Sequence, residues 1–247
     1  MSLESNIGDL VTATNALLAA VNSKMADING AVAKAIAAVP ANKRTWYINQ
    51  QTGLDTNDGS AAAPLKTLSQ AISNTPHGGY VLALLQADYT MTADIRLEGR
   101  NLEFRTDTLG TKRSLRLAYV PTAPEGTASY LTGLICSLGG LFALRDVKLV
   151  FPTANGVVPV PSGFTNSFFK GDGAGGSPVV GMKMTSVDVE EAAGATGCLC
   201  GQGTAALALE VSATTFPTGF AGRYVYGVAA GTAPNTLPNL LTNIPSL

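Results

Sequence analysis

Residues 7–39 carry apolar or seam-compatible positions in strict alternation of four and three: Ile7, Val11, Thr14, Leu18, Val21, Met25, Ile28, Val32, Ala35 and Val39. On a helix this spacing makes one continuous seam, and a seam of that length needs partner helices. Steps of four lead into Val11, Leu18, Met25, Val32 and Val39, which are therefore the a positions, with Ile7, Thr14, Val21, Ile28 and Ala35 at d. Two-stranded coiled coils favour β-branched residues at a and Leu at d. Here d is mostly β-branched or small and a includes Leu and Met, a bias towards three strands or more. The alternative is an amphipathic helix folded back on its own domain. The residues just outside the seam, mainly Ala, Asn, Ser, Thr and Lys, suit a thin bundle better. The helix is predicted over 3–39, about 55 Å long, slightly weakened at Gly8 and Gly30 and ended by Pro40.

Behind Arg44 the period changes. Trp46, Tyr47 and Ile48 read as a short strand, residues 53–60 as a dense turn, and Pro64 as the first turn of a helix with Leu65, Leu68, Ala71 and Ile72 on one face. From Tyr80 onward short apolar runs alternate with turns, among them 80–85, 95–97, 102–104, 115–119, 134–135, 141–144, 147–151, 179–184, 187–189, 206–211 and 224–228. Such spacing fits a sandwich, a barrel or a β-solenoid. Phe142-x-Leu144-x-x-Val147-x-Leu149 recurs forty positions on as Met182-x-Met184-x-x-Val187-x-Val189, and Leu207-x-Leu209 is a looser echo twenty-five positions after Met182. Recurring strand patterns with variable loops favour the solenoid.

Composition narrows the partners. With 13% charged residues and a net charge of −1, the 247-residue chain offers no electrostatic case for nucleic acid or an anionic membrane. Hydrophobic residues at 46% imply extensive burial, within one copy or between copies. The 27 Gly and 13 Pro fit a turn-rich β body. The N-terminal residues have no basic n-region or apolar h-region, so no secretory signal is expected. No run reaches the roughly 18 apolar residues of a membrane span. Three cysteines, an odd count, cannot all pair within one chain, so no disulfide framework is expected.

Residues 46–72 carry a family signal. Trp46-Tyr47-Ile48-Asn49, then Gly53-Leu54-Asp55-Thr56-Asn57-Asp58-Gly59-Ser60, then Pro64-Leu65-Lys66-Thr67-Leu68-Ser69-Gln70-Ala71-Ile72, resemble the leading cap of right-handed parallel β-helices of the pectin-lyase type. A seam such as Leu10-Val11-Thr12-Ala13-Thr14-Asn15-Ala16-Leu17-Leu18 running into that cap resembles bacteriophage tail-fibre and tailspike proteins. The resemblance covers residues 3 to about 80 well and the remainder in style. It implies a mainly β fold: a right-handed parallel β-helix preceded by an N-terminal α-helical coiled coil, assembled as a parallel homotrimer.

Candidate chemistry is sparse. Asp188 and Glu190 are i, i+2 on a predicted strand and would share a face about 7 Å apart, as a glycosidase carboxyl pair could, with Val187 and Val189 turned to the core; solvated strand charges are the commoner case. Arg96, Glu98, Glu103 and Arg105 alternate with apolar residues and are expected outward, paired across neighbouring strands. Asp55-Thr56-Asn57-Asp58-Gly59 lacks the ligand alternation of a calcium loop and reads as turn closure. Cys198 and Cys200 have no second pair and one histidine, His77, for company, so buried thiols are expected rather than zinc. Gly171, Gly173, Gly175 and Gly176 do not lie between a predicted strand and a helix, as a phosphate loop requires.

The expected organisation is a coiled-coil stalk over 1–40, a connector and strand–turn–helix cap over 41–79, a β-helix body over 80–230 and an extended tail over 231–247. The expected role is a structural virion protein: a tail fibre or appendage, assembled in the bacterial host cytoplasm, mounted through its stalk on other tail, baseplate or fibre proteins. It would contribute to attachment to a host polysaccharide or protein receptor, with no cofactor, metal or enzymatic activity expected. The rivals are a depolymerase spike cleaving capsule or lipopolysaccharide, and a collar or whisker fibre that meets no receptor. Val21→Asp or Ile28→Asp places a carboxylate in the seam and is expected to disrupt trimers, because a charge buried between helices lacks a partner. Sedimentation showing unchanged trimers in both variants would displace the seam assignment.

Overall fold

A computed structural model describes residues 2–122, 127–171, 179–201 and 205–247, with residues 37–41 described through their backbone alone. The chain divides into two compact units, Met1–Asn42 and Lys43–Leu247. The first is one unbroken helix, Leu3–Ala41. It runs past the expected stop at Pro40, whose fixed φ is itself helical, and ends one residue later.

The second unit is mainly β and its three larger sheets are parallel. The longest sheet has seven strands, in the order Lys43–Ile48, Tyr80–Leu85, Asn101–Thr106, Leu141–Arg145, Val179–Thr185, Ala206–Ser212 and Leu240–Thr242. A second sheet stacks Tyr89–Thr90, Arg113–Arg116, Val147–Phe151 and Asp188–Glu191. A third stacks Ile95–Arg96, Leu134–Cys136, Ser167–Gly171 and Cys198–Gly201. The chain visits the long, second and third sheets in turn and returns, so each strand pairs with its counterpart in the passes before and after it.

Alternation decides what faces in. Val81, Leu102, Phe142, Met182 and Leu209 are partners along one row of the long sheet, and all are buried. Tyr89, Leu115, Leu149 and Val189 form the matching row in the second sheet, and Ile95, Leu134, Phe169 and Cys200 in the third. These three rows meet in a single core. The repeat seen in the sequence is thus a stacking register: Phe142 pairs with Met182, Leu144 with Met184 and Leu149 with Val189. The looser echo is two residues out of register. Met182 pairs with Leu209, and Leu207 pairs with Val180, an even slip that keeps the same side chains inward.

The spacer in that repeat has a backbone cause. Between the long and second sheets sit Asp146, Ser186 and Ala213, with φ of 53°, 55° and 47°. One left-handed residue turns the chain sharply, and the corners bond to each other: Asp146 N–H donates to the Thr185 carbonyl at 3.0 Å and Ser186 N–H to that of Ser212 at 2.9 Å.

The leading cap differs in detail from the sequence expectation. The helix spans only Leu68–Ser73, with Thr67 as its N-cap. Pro64 and Leu65 lie outside it because Leu65 spends its backbone on strand-like bonds: its N–H donates to the Tyr47 carbonyl, and its carbonyl accepts from Asn49, both at 2.9 Å. Leu68, Ala71 and Ile72 are buried beneath the cap. Gly59 adopts φ +76° against the Trp46 ring, where a Cβ would come within 2.3 Å of a ring carbon. Trp46 Nε1 donates to Thr75 Oγ1 at 3.0 Å, and Arg100 Nε to the Thr75 carbonyl at 2.6 Å.

Other expectations shift as well. The run 115–119 is divided: Arg113–Arg116 joins the second sheet, while Tyr119–Pro121 forms an antiparallel hairpin with Ser129–Leu131. Tyr224–Val228 is not a strand and contributes one bridge, Val225 to Cys200. The C-terminal segment is more than an extended tail, since Leu240–Thr242 adds the last strand of the long sheet and Ile244 and Leu247 are buried. A corner test follows. Ser186→Val forces a β-branched side chain into left-handed backbone and is expected to destabilise the body by about 1–2 kcal/mol, whereas Ser186→Gly leaves the denaturation midpoint within a few tenths of a kcal/mol equivalent.

Candidate oligomerisation interface

Among its described side chains the N-terminal helix buries nothing of its seam within its own chain. Ile7, Val11, Leu18, Val21, Met25, Ile28 and Val32 are all exposed, from 46% at Val21 to 61% at Ile28. Thr14 and Ala35 are exposed too, and the side chain of Val39 lies outside the described residues. Thr14 returns its hydroxyl to the Leu10 carbonyl at 2.8 Å, which satisfies it locally and leaves its methyl to the seam. Each large apolar side chain removed from water contributes roughly 1.5–3 kcal/mol, so a row this long strongly favours association over solvation. The flanks of this seam, small and polar over most of their length, also include Leu3, Leu10 and Leu17, which recur every seven residues and are exposed.

The other candidates are dispersed over the body and held in structural roles. Asp188 accepts from Lys112 Nζ at 2.7 Å and from Thr215 Oγ1 at 3.0 Å. The Lys112 hydrogen bond holds its carboxyl below the ordinary aspartate range. Glu190 pairs with Lys148 at 3.0 Å. A glycosidase acid needs its pKa raised, and Asp188 is shifted the other way. As expected from alternation, Val187 and Val189 are buried behind them.

Asp55 holds the N-cap residue of the short helix in place: its carboxylate accepts from Lys66 N–H at 3.1 Å, Thr67 N–H at 2.8 Å and Thr67 Oγ1 at 3.0 Å. Asp58 accepts from Ser60 N–H at 2.9 Å, and Asn57 Nδ2 donates to the Pro64 carbonyl at 2.9 Å. The Asp/Asn-rich loop is therefore a closed turn whose oxygens are engaged by the chain itself. Among the described residues no group of three His, Cys, Asp or Glu side chains is placed to hold a metal ion. His77 Nδ1 lies 2.9 Å from the Glu98 carbonyl. Cys136, Cys198 and Cys200 are unpaired and buried. Burial pushes the Cys136 thiol up to about 11 and raises the other two, so all three stay protonated at neutral pH. Gly171 ends a strand, while Gly173, Gly175 and Gly176 lie outside the described residues.

The expected cross-strand pairing of charges gives way to local contacts at Glu98, Glu103 and Arg105. Glu103 accepts from the Tyr80 hydroxyl across the long sheet, and Arg105 lies 3.7 Å from Glu103 on the same strand. Glu98 instead turns the chain, with φ of 49°, and lies 3.3 Å from Arg100.

Two features had no sequence signal. One is an apolar trough of about 490 Å³ on the outer face of the long sheet, with Gly181 and Ala208 as floor and exposed Leu141 and Leu241 among its walls. It arises only when strands distant in sequence are aligned. The other is Lys170, whose buried Nζ lies 2.7 and 2.8 Å from the two Asp94 oxygens and donates to the Leu131 carbonyl at 2.7 Å. Burial pulls its pKa below the ordinary lysine value, with Asp94 opposing.

No protein-family model, curated protein or solved structure matches the chain. Among the described residues no helix is long and apolar enough to cross a membrane. The lowered Asp188 pKa has a sign that can be measured. Its stabilising contribution is present above the unfolded value of about 3.9 and is lost as pH falls through the folded value. Asp188→Asn is expected to be less stable than the parent at pH 7, with the difference shrinking below about pH 4 in denaturant titrations across pH.

Proposed function

We propose that this chain is a homotrimeric structural protein of a bacteriophage virion, a tail fibre or related appendage that contributes to host-surface attachment. Its stalk is a parallel three-stranded coiled coil closed by the seam from Ile7 to Val39. Its body is a right-handed parallel β-helix of the pectin-lyase type. The stalk mounts the trimer on another tail, baseplate or fibre protein, and the body carries the surfaces that meet the bacterium.

The observation that carries this reading is the succession, in one chain, of an unpartnered 4–3 helix and a body of stacked parallel sheets. A helix that leaves its described apolar row in water from Ile7 to Val32 is an assembly element, and β-branched or small d positions favour three strands or more. Three parallel sheets visited in turn support the β-helix reading, and parallel crossovers are right-handed in nearly all proteins. The capped strand–turn–helix at Trp46 to Ile72 adds the family resemblance.

The depolymerase reading draws no support from Asp188 and Glu190, each of which is committed to a lysine. Purified full-length protein is expected to sediment as a trimer and to block adsorption of the parent phage to its host. Failure to compete would favour the collar or whisker reading. Rapid release of oligosaccharides from host capsule or lipopolysaccharide would replace attachment with depolymerisation.

A further inference from the structure

The heptad frame assigns more than the seam. Leu3, Leu10, Leu17 and Lys24 fall at g, and Gly8, Asn15 and Asn22 at e. Leu3, Leu10 and Leu17 are 77%, 67% and 66% exposed, more than the seam residues Ile7, Val11, Leu18, Val21, Met25, Ile28 and Val32. The e and g positions of a coiled coil ordinarily carry charges that choose partner and orientation. Here the first three heptads hold leucine at g and uncharged residues at e. The pattern ends at Lys24, whose ammonium lies 3.9 Å from Asp27 on its own helix.

We propose that Leu3, Leu10 and Leu17 form a second apolar rail, continuous with the seam, which a second copy of this helix covers. This deepens the trimer reading and rests on it. In a parallel bundle a g residue meets the e residue of the next heptad on the neighbouring helix. Leu3, Leu10 and Leu17 then lie over the neighbouring copy's Gly8, Asn15 and Asn22. The match is one of polarity. Covering leucine against an ionised e residue would desolvate a charge, whereas glycine leaves room and asparagine can keep its amide at the wet rim. In an antiparallel bundle g residues meet g residues, which would set the rail of one copy towards the Lys24 end of the other. The rail therefore favours the parallel arrangement without any ion pair. It also divides the stalk: the interface is a, d and g wide over residues 3–18, and the leucine row at g stops at Lys24.

The test uses the full chain. If the parent protein does not sediment as a trimer, the trimer reading itself fails. Given a trimer, Leu10→Lys with Leu17→Lys is expected to raise its dissociation constant on the order of 100-fold or more. Ala16→Lys with Ser23→Lys, which adds the same charge at outer f positions, is expected to leave it within a few-fold. A second readout does not depend on stability. Leu10→Cys and Leu17→Cys in the assembled trimer are expected to react with a maleimide roughly tenfold slower than Ala16→Cys. Equal labelling rates, or equal weakening by the two lysine pairs, would overturn the rail and leave those leucines as a surface open to a different protein.

Discussion

The body depends on one constraint: each pass of the chain must lay its inward row on the inward row of the pass before it. Parallel ladder bonds fix the register, and because side chains alternate with period two, a slip of one residue would turn the core row outward. The row from Val81 through Leu102, Phe142 and Met182 to Leu209 shows how strictly this is kept. Corners share the duty. Asp146, Ser186 and Ala213 accept left-handed backbone, a conformation that disfavours side chains, because a single-residue corner stacked on its neighbour keeps successive sheets in phase.

Several polar groups inside this frame are held by specific partners. The Asp55 carboxylate closes the loop and starts the short helix with three hydrogen bonds. Trp46, Thr75 and Arg100 join that cap to the next passes. Lys170 and Asp94 tie the third sheet to the segment leading into it, with Leu131 and the Tyr130 ring completing the lysine's surroundings. Removing one member of such a buried pair leaves the other uncompensated, so these contacts act as locks on a particular arrangement. The carboxylates that invited a catalytic reading belong to the same economy of paired charges on the outer strands.

The two units meet their apolar surface in different ways. The body closes its core within one chain, whereas the helix presents both its seam and its leucine rail to water in a single copy. An isolated helix gains most of its stability from packing an amphipathic face, and this one has only other chains to pack against in the proposed trimer. The near absence of charge on its flanks suits surfaces meant for cover.

Much of this was legible in the residues themselves. The 4–3 spacing marks a helix because 3.6 residues per turn place those positions on one stripe, and the switch to short alternating runs behind Arg44 marks strands. The repeat at Phe142 and Met182 even exposed the stacking register, since neighbours in a parallel ladder occupy equivalent environments. Leu3, Leu10 and Leu17 are equally legible as a seven-residue repeat beside the stronger seam. Other features belong to tertiary structure alone. Whether Leu65 joined a helix or a bridge depended on Tyr47 and Asn49 claiming its backbone, and the burial of Lys170 depended on Asp94, seventy-six positions away. The trough beside Gly181 and Ala208 needed strands from separate passes laid side by side. Periodicity reports which face of an element is apolar; the partners that cover it are chosen by contacts between segments remote in the chain, and local sequence does not encode those distances.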